Sequence, residues 1–420
     1  MFSQLKKFFY FPLSYYFRFF AKVRLVFWKP YIIVVTGSSG KTSLLHLLAS
    51  QLGDRAKYSY LANSTYGISF DILGLKRKSL EVTEWLDLIL KTPLSIFLPS
   101  PRQKIYIVEA DCDRPGEGKY LASLLKPDIT LWMGSGKTHT ANFGNQVLNG
   151  KAATAEEAVA YEFGYFLEYT KELSIVNGDS KFVKMQLGRS DTPIEKVSIT
   201  KLDDYKVFKN KTVFKAGDKT YEFLRLLPEE FFYALQISFL LLEKLKIRPD
   251  LSFKNFSLPP GRSNIFSGIK DTTIIDCTYN ATPDGVASVL NMFARYPSED
   301  KWLVLGDMIE LGQEEGIEHE KLAEKIMEVG AKRIILVGPR LSKHTYPKLL
   351  KLKIKTEKFP MPKEALSYIK GNLKGGETVL FKGARFLEGI IEYLLADRKN
   401  SKLLPRREKV WEARRRKFGL

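Results

Sequence analysis

Seven consecutive residues near the start of the chain have the types needed to bind a phosphate group. Gly37-Ser38-Ser39-Gly40-Lys41-Thr42-Ser43 follows an apolar run, Tyr31–Thr36, and opens a helical pattern. Glycines let backbone N–H groups converge on phosphate oxygens, and a helix N-terminus adds partial positive charge. In such a loop Lys41 contacts the terminal phosphates and the Thr42 hydroxyl binds Mg²⁺. The spacing is tighter than the common GxxxxGK[ST], but its strand–loop–helix context predicts a nucleotide phosphate site rather than a glycine-rich turn with a solvated lysine.

A second glycine–lysine–threonine sequence, residues 134–138, follows a later predicted strand. Leu131 occupies the position five residues before Gly136, so the wide glycine spacing of a phosphate loop is absent. We therefore predict no second nucleotide site there.

Acidic residues and a histidine follow two other predicted strands. Glu109 ends the strand predicted at 104–110, and an acid at the carboxyl end of a parallel strand beside a phosphate loop can bind Mg²⁺ directly or through water. Asp111 and Asp113 lie just beyond it and could do the same. His139 follows the next predicted strand, in a loop. From spacing alone, both a functional role and an ordinary polar surface position stay open for His139.

Strand and helix patterns alternate from residue 31 onward, which predicts two consecutive α/β domains with largely parallel sheets. Residues 195–224 differ, because alternating β-branched and charged residues with two turn signals predict a surface hairpin or meander. A proline-rich segment at 248–262 predicts the linker between the domains. Strands are predicted at 31–36, 104–110, 128–133, 173–176, 272–276, 302–306, 333–337 and 377–381. Helices are predicted from about 41, and at 151–171, 228–246, 283–296, 316–329, 363–371 and 385–396.

The positive charge is concentrated at the two ends of the chain. The 420 residues include 66 lysines and arginines and 47 acids, a net charge of +19. Residues 1–29 hold six bases and no acid, and residues 401–420 hold eight bases and two acids, so each end carries +6. The remainder is only mildly basic, which argues against nucleic-acid binding by the body of the protein. Two distant cysteines, Cys112 and Cys277, indicate a reducing compartment rather than a disulfide or zinc scaffold.

The segment 1–30 combines basic and aromatic side chains. Its longest uncharged run, Phe8 to Phe17, is ten residues, about half of the roughly 20 that a membrane-spanning helix needs. No small-residue cleavage site of a secretory signal follows. A helix from Pro12 would place Ser14, Arg18 and Lys22 on one face among apolar side chains. We predict an amphipathic helix on an anionic membrane surface; the alternative is a helix that packs on the protein.

Several segments, in the same order along the chain, together resemble the motifs of the Mur ligases, the ATP-dependent amide ligases of cell-wall peptide synthesis. The resemblance runs from about residue 31 to 396. The segments in the second half of the chain are most similar to those of the family members that add D-alanyl-D-alanine to a muramoyl-tripeptide. The segments are TGSSGKTS (36–43), VEADCDRPGE (108–117), KPDITLWMGSGKTHTANFG (126–144), IVNGDS (175–180), LPPGRSN (258–264), IIDCTYNATPDGV (274–286), VLGDMIELG (304–312) and VLFKGAR (379–385).

The resemblance implies an α/β fold: a P-loop central ATPase domain over 31–257, then a Rossmann-like C-terminal α/β domain over 258–398 and a basic tail over 399–420. It implies that Lys41 and the loop backbone bind the phosphates of ATP. Thr42 and Glu109 then hold a first Mg²⁺ and His139 helps to hold a second, which makes Lys41, Glu109 and His139 the catalytic candidates.

For the second half, the resemblance implies that Arg262, Asp276 and Asn280 meet the nucleotide. Asp307 and Lys382 would lie near the incoming amine. Three positions depart from the family pattern. Tyr161 stands where the family has a carbamylated lysine, so Glu157 or Glu162 would have to serve as the carboxylate ligand. Cys277 and Thr282 replace an aspartate and an asparagine.

The family's domain that grips the UDP-sugar has no counterpart in residues 1–30. We expect a small-molecule amine and a peptidoglycan-precursor acceptor as substrates. The acceptor would be held by a protein partner, by the membrane if it is lipid-linked, or weakly, and the protein would work in the cytoplasm at the inner face of the membrane. Two alternatives stay open: a membrane-associated ligase with another acceptor, such as poly-γ-glutamate, and a non-catalytic nucleotide-binding scaffold.

Overall fold

The structure, a computed structural model, describes residues 2–60, 62–77, 82–384 and 386–420. For residues 2–9, Val82 and Val410 it describes the backbone alone. Arg385, the last residue of one family-like segment, lies outside the described residues. The chain divides into two compact units. The first comprises residues 1–198, 233–250 and 254–256, and the second comprises residues 199–232, 251–253 and 257–420.

A six-stranded parallel sheet forms the centre of the first unit, in the order β2-β3-β1-β4-β5-β6. The predicted strands are all present, because runs of buried β-branched residues suit strands covered on both faces. The strands are β1 (Tyr31–Thr36), β2 (Ala56–Tyr58), β3 (Ile105–Ala110), β4 (Ile129–Trp132), β5 (Leu173–Asn177) and β6 (Ile194–Val197). The helices are α1 (Phe2–Trp28), α2 (Lys41–Leu52), α3 (Thr65–Leu73), α4 (Val82–Ser95), α5 (Glu117–Leu125), α6 (Gly144–Leu148), α7 (Ala155–Glu168), α8 (Lys181–Lys184) and α9 (Phe231–Lys244).

Strand β1 lies between β3 and β4, so the loops after these three parallel strands meet at one edge of the sheet. In register, Thr36 pairs with Ala110 and Trp132. Ligands of parallel α/β sheets bind outside the carboxyl ends of the strands. The topology therefore gathers the phosphate loop, the acids after β3 and the histidine loop after β4 at the same place.

The second unit contains a six-stranded sheet in the order β10-β11-β15-β12-β13-β14, parallel except for β10. Its strands are β10 (Asn264–Ser267), β11 (Thr273–Cys277), β12 (Lys301–Gly306), β13 (Arg333–Val337), β14 (Thr356–Phe359) and β15 (Thr378–Lys382). Its helices are α10 (Pro283–Ala294), α11 (Glu315–Glu328), α12 (Tyr346–Lys351), α13 (Pro362–Asn372), α14 (Leu387–Leu394) and α15 (Lys409–Arg416).

The meander predicted at 195–224 is an antiparallel sheet of β7 (Asp204–Val207), β8 (Thr212–Ala216) and β9 (Lys219–Phe223). It belongs to the second compact unit, whereas the sequence placed it within a 31–257 domain. The reason is tertiary: Arg295 stacks on the Tyr205 ring at 5.0 Å, and the Tyr296 hydroxyl donates a hydrogen bond to the Lys209 carbonyl. These contacts come from α10 and the turn that follows it, which local patterns cannot predict.

Helix α1 packs on the first unit, as the alternative interpretation of residues 1–30 anticipated. Phe17, Ala21 and Trp28 are fully buried in the core, and the Phe17 ring lies 4.8 Å from that of Phe70. Ser14, expected on a polar face, is also buried and donates a hydrogen bond to the Phe11 carbonyl. Across the described parts of the chain, no helix is long and apolar enough to cross a membrane.

The basic tail is a packed element in the structure. Its helix α15 lies against the second unit, and the Phe418 ring is 5.0 Å from that of Phe386. Arg415 is buried, and its guanidinium donates a hydrogen bond to the Arg406 carbonyl. The tail at 401–420 is therefore a packed part of the second unit rather than a solvated extension.

Candidate functional site

The phosphate loop turns sharply at two glycines. Gly37 has φ 122°, and a Cβ there would lie 2.5 Å from the Gly134 carbonyl oxygen. Gly40, at φ 81°, leads into α2. The Ser38 hydroxyl donates to the Gly136 carbonyl at 3.2 Å and accepts from the Gly136 N–H at 2.9 Å. The loop after β4 therefore buttresses the phosphate loop, and both turns need glycine for steric reasons.

The second glycine–lysine–threonine sequence has this structural role. Lys137 forms an ion pair with the buried Glu156 of α7 at 3.2 Å. Through the contacts of Gly136 with Ser38, the segment 134–138 supports the loop at 37–43.

Lys41 is buried, and its side chain forms an ion pair with Asp111. Its ammonium lies 2.9 Å from Oδ2 of Asp111 and donates to the Gly37 carbonyl at 2.5 Å. Burial by itself lowers the pKa of Lys41, but the nearby carboxylates, Asp111 above all and then Glu109, outweigh it and leave the pKa raised. The lysine is therefore a permanent cation at the floor of the loop, suited to phosphate oxygens.

Thr42 and Glu109 come together as predicted, since the Thr42 hydroxyl donates to Oε1 of Glu109 at 3.1 Å. Ser59 fixes the strand at this point by accepting the Glu109 N–H at 2.9 Å. A hydroxyl and a carboxylate in contact at the end of a parallel strand offer the hard oxygen ligands that Mg²⁺ prefers.

A second group of ligand atoms lies beside the first. Nε2 of His139 is 3.1 Å from Oδ1 of Asp113 and 3.9 Å from Oδ2 of Asp111. The ligand atoms of these three residues all lie within 4.8 Å of one another, a geometry that could hold a metal ion. His139 adopts a left-handed φ of 56°, which turns its ring toward the acids. Two carboxylates and an imidazole suit Mg²⁺ or Mn²⁺.

The alternative carboxylate ligands on α7 are engaged elsewhere. Both oxygens of Glu162 accept backbone N–H groups, from Gly116 at 2.8 Å and Gly118 at 2.9 Å. Glu157 accepts the Ala153 N–H at the start of its own helix. Tyr161 is half exposed, and the Arg189 guanidinium lies 4.2 Å from its ring centre. Neither glutamate replaces the family's carbamylated lysine in this structure.

In the second unit, Asp276 is fully buried rather than presented to a ligand. Its Oδ1 accepts the N–H and the hydroxyl of Thr278, at 2.9 and 2.7 Å, while Oδ2 has no hydrogen-bond partner. Burial, with a smaller contribution from the Glu388 carboxylate, raises the pKa of Asp276 to about 6, although Thr278 and Arg406 oppose the rise. Asp276 thus shapes the turn after β11, and its expected contact with a nucleotide stays a prediction.

That turn carries Asn280, and two other expected residues, Arg262 and Lys382, contact it. The Arg262 guanidinium lies 4.4 Å from the centre of the Tyr279 ring. The carbonyl of Asn280 accepts a 2.7 Å hydrogen bond from the buried ammonium of Lys382, whose pKa burial lowers to about 8. Arg262, Asn280 and Lys382 therefore converge on one turn. Thr282, in place of the family's asparagine, caps α10 by accepting the Gly285 N–H.

Asp307, which the resemblance places near the amine, follows β12 and binds the backbone at residues 340–341. It is fully buried, and its Oδ1 accepts the N–H groups of Arg340 and Leu341 at 3.1 Å each. The following loop is held by His319, whose Nε2 accepts the Met308 N–H and whose Nδ1 lies 2.7 Å from the Glu315 carbonyl. Burial lowers the pKa of His319, which keeps the ring neutral in this arrangement.

Comparison with known proteins decides the family. The Mur ligase middle domain matches residues 35–240, and the Mur ligase glutamate ligase domain matches residues 261–385. The chain belongs to the Mur ligase family. Its two compact units contain the two matched domains of a Mur ligase, apart from the meander segment, which packs with the second.

Similar curated Mur ligases carry one name. The UDP-N-acetylmuramoyl-tripeptide--D-alanyl-D-alanine ligase of Rickettsia prowazekii is 24% identical over 383 residues, 87% of this chain and 78% of that protein. The enzyme of the same name from Bacillus subtilis is 23% identical over 374 residues, 87% of this chain and 76% of that protein.

Solved structures agree on the fold. The MurF ligase of Thermotoga maritima, in complex with ADP, has a TM-score of 0.71 at 21% identity and covers 96% of this chain and 84% of its own. A MurF structure from Acinetobacter baumannii has a TM-score of 0.70 at 18% identity and covers 89% and 78%. The predicted P-loop and Rossmann-like α/β architecture is confirmed.

Two parts of this Mur ligase that sequence reasoning missed are Tyr10 and Arg406, which lie outside the matched ranges. Tyr10 hydrogen-bonds to Glu117 beside the metal-ligand candidates. Arg406 donates to the carbonyls of Thr278 and Tyr279, at 3.2 and 2.5 Å. From the sequence, the aromatic segment that holds Tyr10 was predicted to contact a membrane, and the segment that holds Arg406 was predicted to be a basic tail. No local pattern indicates that these two residues contact candidate site elements elsewhere in the chain.

Proposed function

We propose that this protein is an ATP-dependent ligase that joins D-alanyl-D-alanine, or another amino acid, to the peptide of a muramoyl-tripeptide precursor of peptidoglycan. Membership of the Mur ligase family and the shared name of its relatives support the reaction type and the substrates. The observation that carries the proposal is the buried Lys41 on the phosphate loop, flanked by Glu109 and the cluster of Asp111, Asp113 and His139.

The chemistry follows from these groups. A carboxylate oxygen of the acceptor attacks the γ-phosphorus of ATP, and ADP leaves. The amine nitrogen then attacks the carbonyl carbon of the acyl phosphate, phosphate leaves, and the nitrogen loses a proton. Two anions must approach one another in the first step, so the cationic Lys41 lowers the barrier by stabilising the charge on the transferring phosphoryl group.

Magnesium is part of this proposal. Thr42 and Glu109 would hold one ion, and Asp111, Asp113 and His139 would hold a second; the donor sets fit a hard divalent cation. Bound there, it supplies charge neutralisation at the phosphates. Arg262, Asp276 and Asn280 remain the proposed nucleotide contacts of the second unit. Asp307 and Lys382 remain the proposed residues near the amine.

A peripheral position at the inner face of the membrane, in the cytoplasm, is also part of the proposal. Both cysteines are free and buried, in keeping with a reducing compartment. Helix α1 leaves Phe19, Val26 and Phe27 exposed beside basic residues. A membrane-bound acceptor, or a protein partner that binds the acceptor, would bring the precursor to the site.

The test is ADP release by the purified protein with a panel of amines (D-alanyl-D-alanine, D-alanine, glutamate and lysine) and muramoyl-tripeptide acceptors, with and without a lipid carrier. We expect ADP release that depends on both substrates and is fastest with D-alanyl-D-alanine. The same assay is run with a γ-glutamyl acceptor in place of the muramoyl-tripeptide, and ADP release with glutamate and that acceptor alone would favour the poly-γ-glutamate alternative.

The non-catalytic scaffold has one observation in its favour. Tyr161 stands at the family's carbamylated-lysine position and stacks with Arg189 and Tyr165 rather than supplying a carboxylate. ATP binding with no ADP release for any pair of substrates would support the scaffold and contradict the ligase.

A further inference from the structure

Helix α4 exposes an apolar stripe that no function described so far uses. Leu86, Leu90, Leu94 and Phe97 recur at three- to four-residue spacing, and Leu90, Leu94 and Phe97 are 73%, 68% and 85% exposed. Four large apolar side chains in one exposed row exceed the scattered single residues normal on a soluble surface. The stripe therefore marks an interaction surface.

The stripe adjoins the exposed face of α1. The two helices lie side by side, since the Tyr16 hydroxyl donates to the Ile89 carbonyl at 2.8 Å and the buried Arg24 donates to the carbonyls of Ile96 and Pro99. At 3.6 residues per turn, Leu86 and Leu90 lie on the face of α4 next to the one that holds Ile89, on the side away from the core.

On α1, by the same helical phase, Phe19, Val26 and Phe27 lie next to the face that holds Tyr16. The two exposed apolar faces form one surface, which we call the α1–α4 face.

Charge identifies the partner. Residues 2–29 carry six bases and no acid, and the exposed Lys22 and Lys29 border the apolar side chains of α1. On α4, the acid beside the stripe, Asp87, forms an ion pair with Lys91 at 2.7 Å. An apolar surface bordered by lysines matches a bilayer with anionic headgroups, where aromatic and leucine side chains enter the interface and lysines meet the lipid charge.

We propose that α4 and the turn after it take part in the membrane contact, so that the α1–α4 face, rather than α1 alone, binds an anionic bilayer. This extends the peripheral position in the proposed function to residues 86–97.

The test is flotation of the full-length protein with vesicles of 70% phosphatidylcholine and 30% phosphatidylglycerol. The double variant Leu90→Glu/Phe97→Glu should bind at least about tenfold more weakly, because it places two charges in the apolar interface. The matched control is Leu148→Glu, which changes an equally exposed leucine (75%) elsewhere in the first unit and should bind within twofold of wild type.

Three results would overturn the proposal: flotation of the double variant like wild type, no flotation of the wild type, or a dimer in solution that the double variant abolishes, which would assign the face to a second copy of the chain. ADP release with soluble substrates should stay within twofold in both variants. If the wild type releases no ADP, that result counts against the ligase function, and the flotation result still tests the membrane contact.

A different observation links the inner face of α1 to the candidate metal cluster. The Tyr10 hydroxyl donates to Oε1 of the buried Glu117 at 2.5 Å. The other oxygen of Glu117 accepts the N–H groups of Asp113 at 2.8 Å and Arg114 at 3.2 Å. Since Oδ1 of Asp113 lies 3.1 Å from His139, a short chain of contacts runs from α1 to the cluster.

We infer that Tyr10 is a positioning residue for Asp113. The hydrogen bond from Tyr10 orients Glu117, and Glu117 in turn holds the backbone at residues 113–114. The Arg114 guanidinium also contacts Tyr10, 4.3 Å from the centre of its ring. Partners that orient metal ligands typically change metal affinity by about 10- to 100-fold when removed. Tyr10 acts one step further out, so we expect a change of about 3- to 10-fold.

The test rests on the proposed metal cluster and measures Mn²⁺ binding to the nucleotide-free protein by electron paramagnetic resonance. Tyr10→Phe keeps the ring and removes the hydroxyl, and should weaken Mn²⁺ binding. Tyr16→Phe is the matched control, because it removes a hydroxyl hydrogen bond from the same helix and should leave the affinity unchanged. Equal affinities in wild type and Tyr10→Phe, or an equal loss in Tyr16→Phe, would contradict the role of Tyr10. No Mn²⁺ binding by the wild type would contradict the cluster itself.

Discussion

The ammonium of Lys41 lies 2.9 Å from the carboxylate of Asp111, and the same carboxylate oxygen lies 3.9 Å from His139. One carboxylate thus faces both the phosphate loop and the candidate metal cluster. The loops after β1, β3 and β4 meet at this carboxylate, which explains how residues 41, 111 and 139 come together from separate parts of the chain.

Lys41→Ala should lower ADP release at least about 10²- to 10³-fold, because the variant removes a preorganised cation from the transferring phosphoryl group. The measurement is steady-state ADP release with saturating substrates, with thermal melting to confirm folding. Lys137→Ala is the control: its lysine pairs with Glu156 and should retain turnover within a few-fold. Near-wild-type turnover of Lys41→Ala would rule out this mechanism.

Asp113→Asn and His139→Gln should each weaken Mn²⁺ binding about 10-fold or more, since each removes a direct ligand atom of the cluster. The affinity can be measured by titration of the nucleotide-free protein. Asp191→Asn, an exposed acid of the same unit, should bind as the wild type does. A cluster variant with unchanged affinity would remove that residue from the site.

Tyr161→Ala should retain ADP release within about threefold. Its ring is half exposed and stacks on Arg189, so truncation removes a surface cation–π contact, worth about 0.5–1 kcal/mol of stability. Steady-state kinetics and a melting curve measure both effects. A loss of turnover beyond tenfold would show that Tyr161 takes the functional place of the family's lysine.

Asp276→Asn should stabilise the protein at pH 8 and not at pH 4. Burial raises the pKa of Asp276 to about 6, so its protonated form is favoured in the folded state. The contribution of protonated Asp276 to the free energy of unfolding is complete below the pKa of the unfolded state, about 4, and is lost as the pH rises through 6. The variant keeps an oxygen for Thr278 and should gain about 2–3 kcal/mol at pH 8. Urea unfolding at pH 4, 6 and 8 measures the difference; equal shifts at every pH would contradict it.

Arg406→Ala should raise the KM for ATP about 3- to 10-fold with a smaller effect on kcat, because Arg406 holds the carbonyls of the 278–279 turn that carries Asn280. Arg416→Ala is the matched control in the tail, where Arg416 forms an exposed ion pair with Glu412. If both variants raise the KM equally, the effect comes from charge and not from the turn.

The sequence predicted the parts of the fold that depend on local pattern. Buried strands such as Tyr31–Thr36 and Arg333–Val337 were found at their predicted positions, because continuous β-branched runs suit a parallel sheet covered on both sides. The short strands β2, β10 and β14 were not predicted, because three or four residues without clear alternation give no periodic signal. Strand β6 was predicted as part of the meander at 195–224, but it pairs with β5 in the parallel sheet.

The candidate site divides along the same line. Lys41, Thr42, Glu109 and His139 were identified because each follows a strand of a parallel sheet, where topology brings loops together. The ligand roles of Asp276 and Asp307 stay predictions; both side chains are fully buried and accept backbone N–H groups, which spacing cannot indicate. Tyr10 and Arg406 were missed because their contacts span more than 100 residues.

The central claim is that a carboxylate is activated by phosphoryl transfer from ATP and then joined to an amine. The most direct measurement uses a muramoyl-tripeptide whose terminal carboxylate carries ¹⁸O at both oxygens, with ATP and D-alanyl-D-alanine, and mass analysis of the phosphate released. An acyl phosphate intermediate predicts one ¹⁸O atom in each phosphate, together with a new amide bond in the product. Phosphate free of ¹⁸O, released without amide formation, would contradict the account.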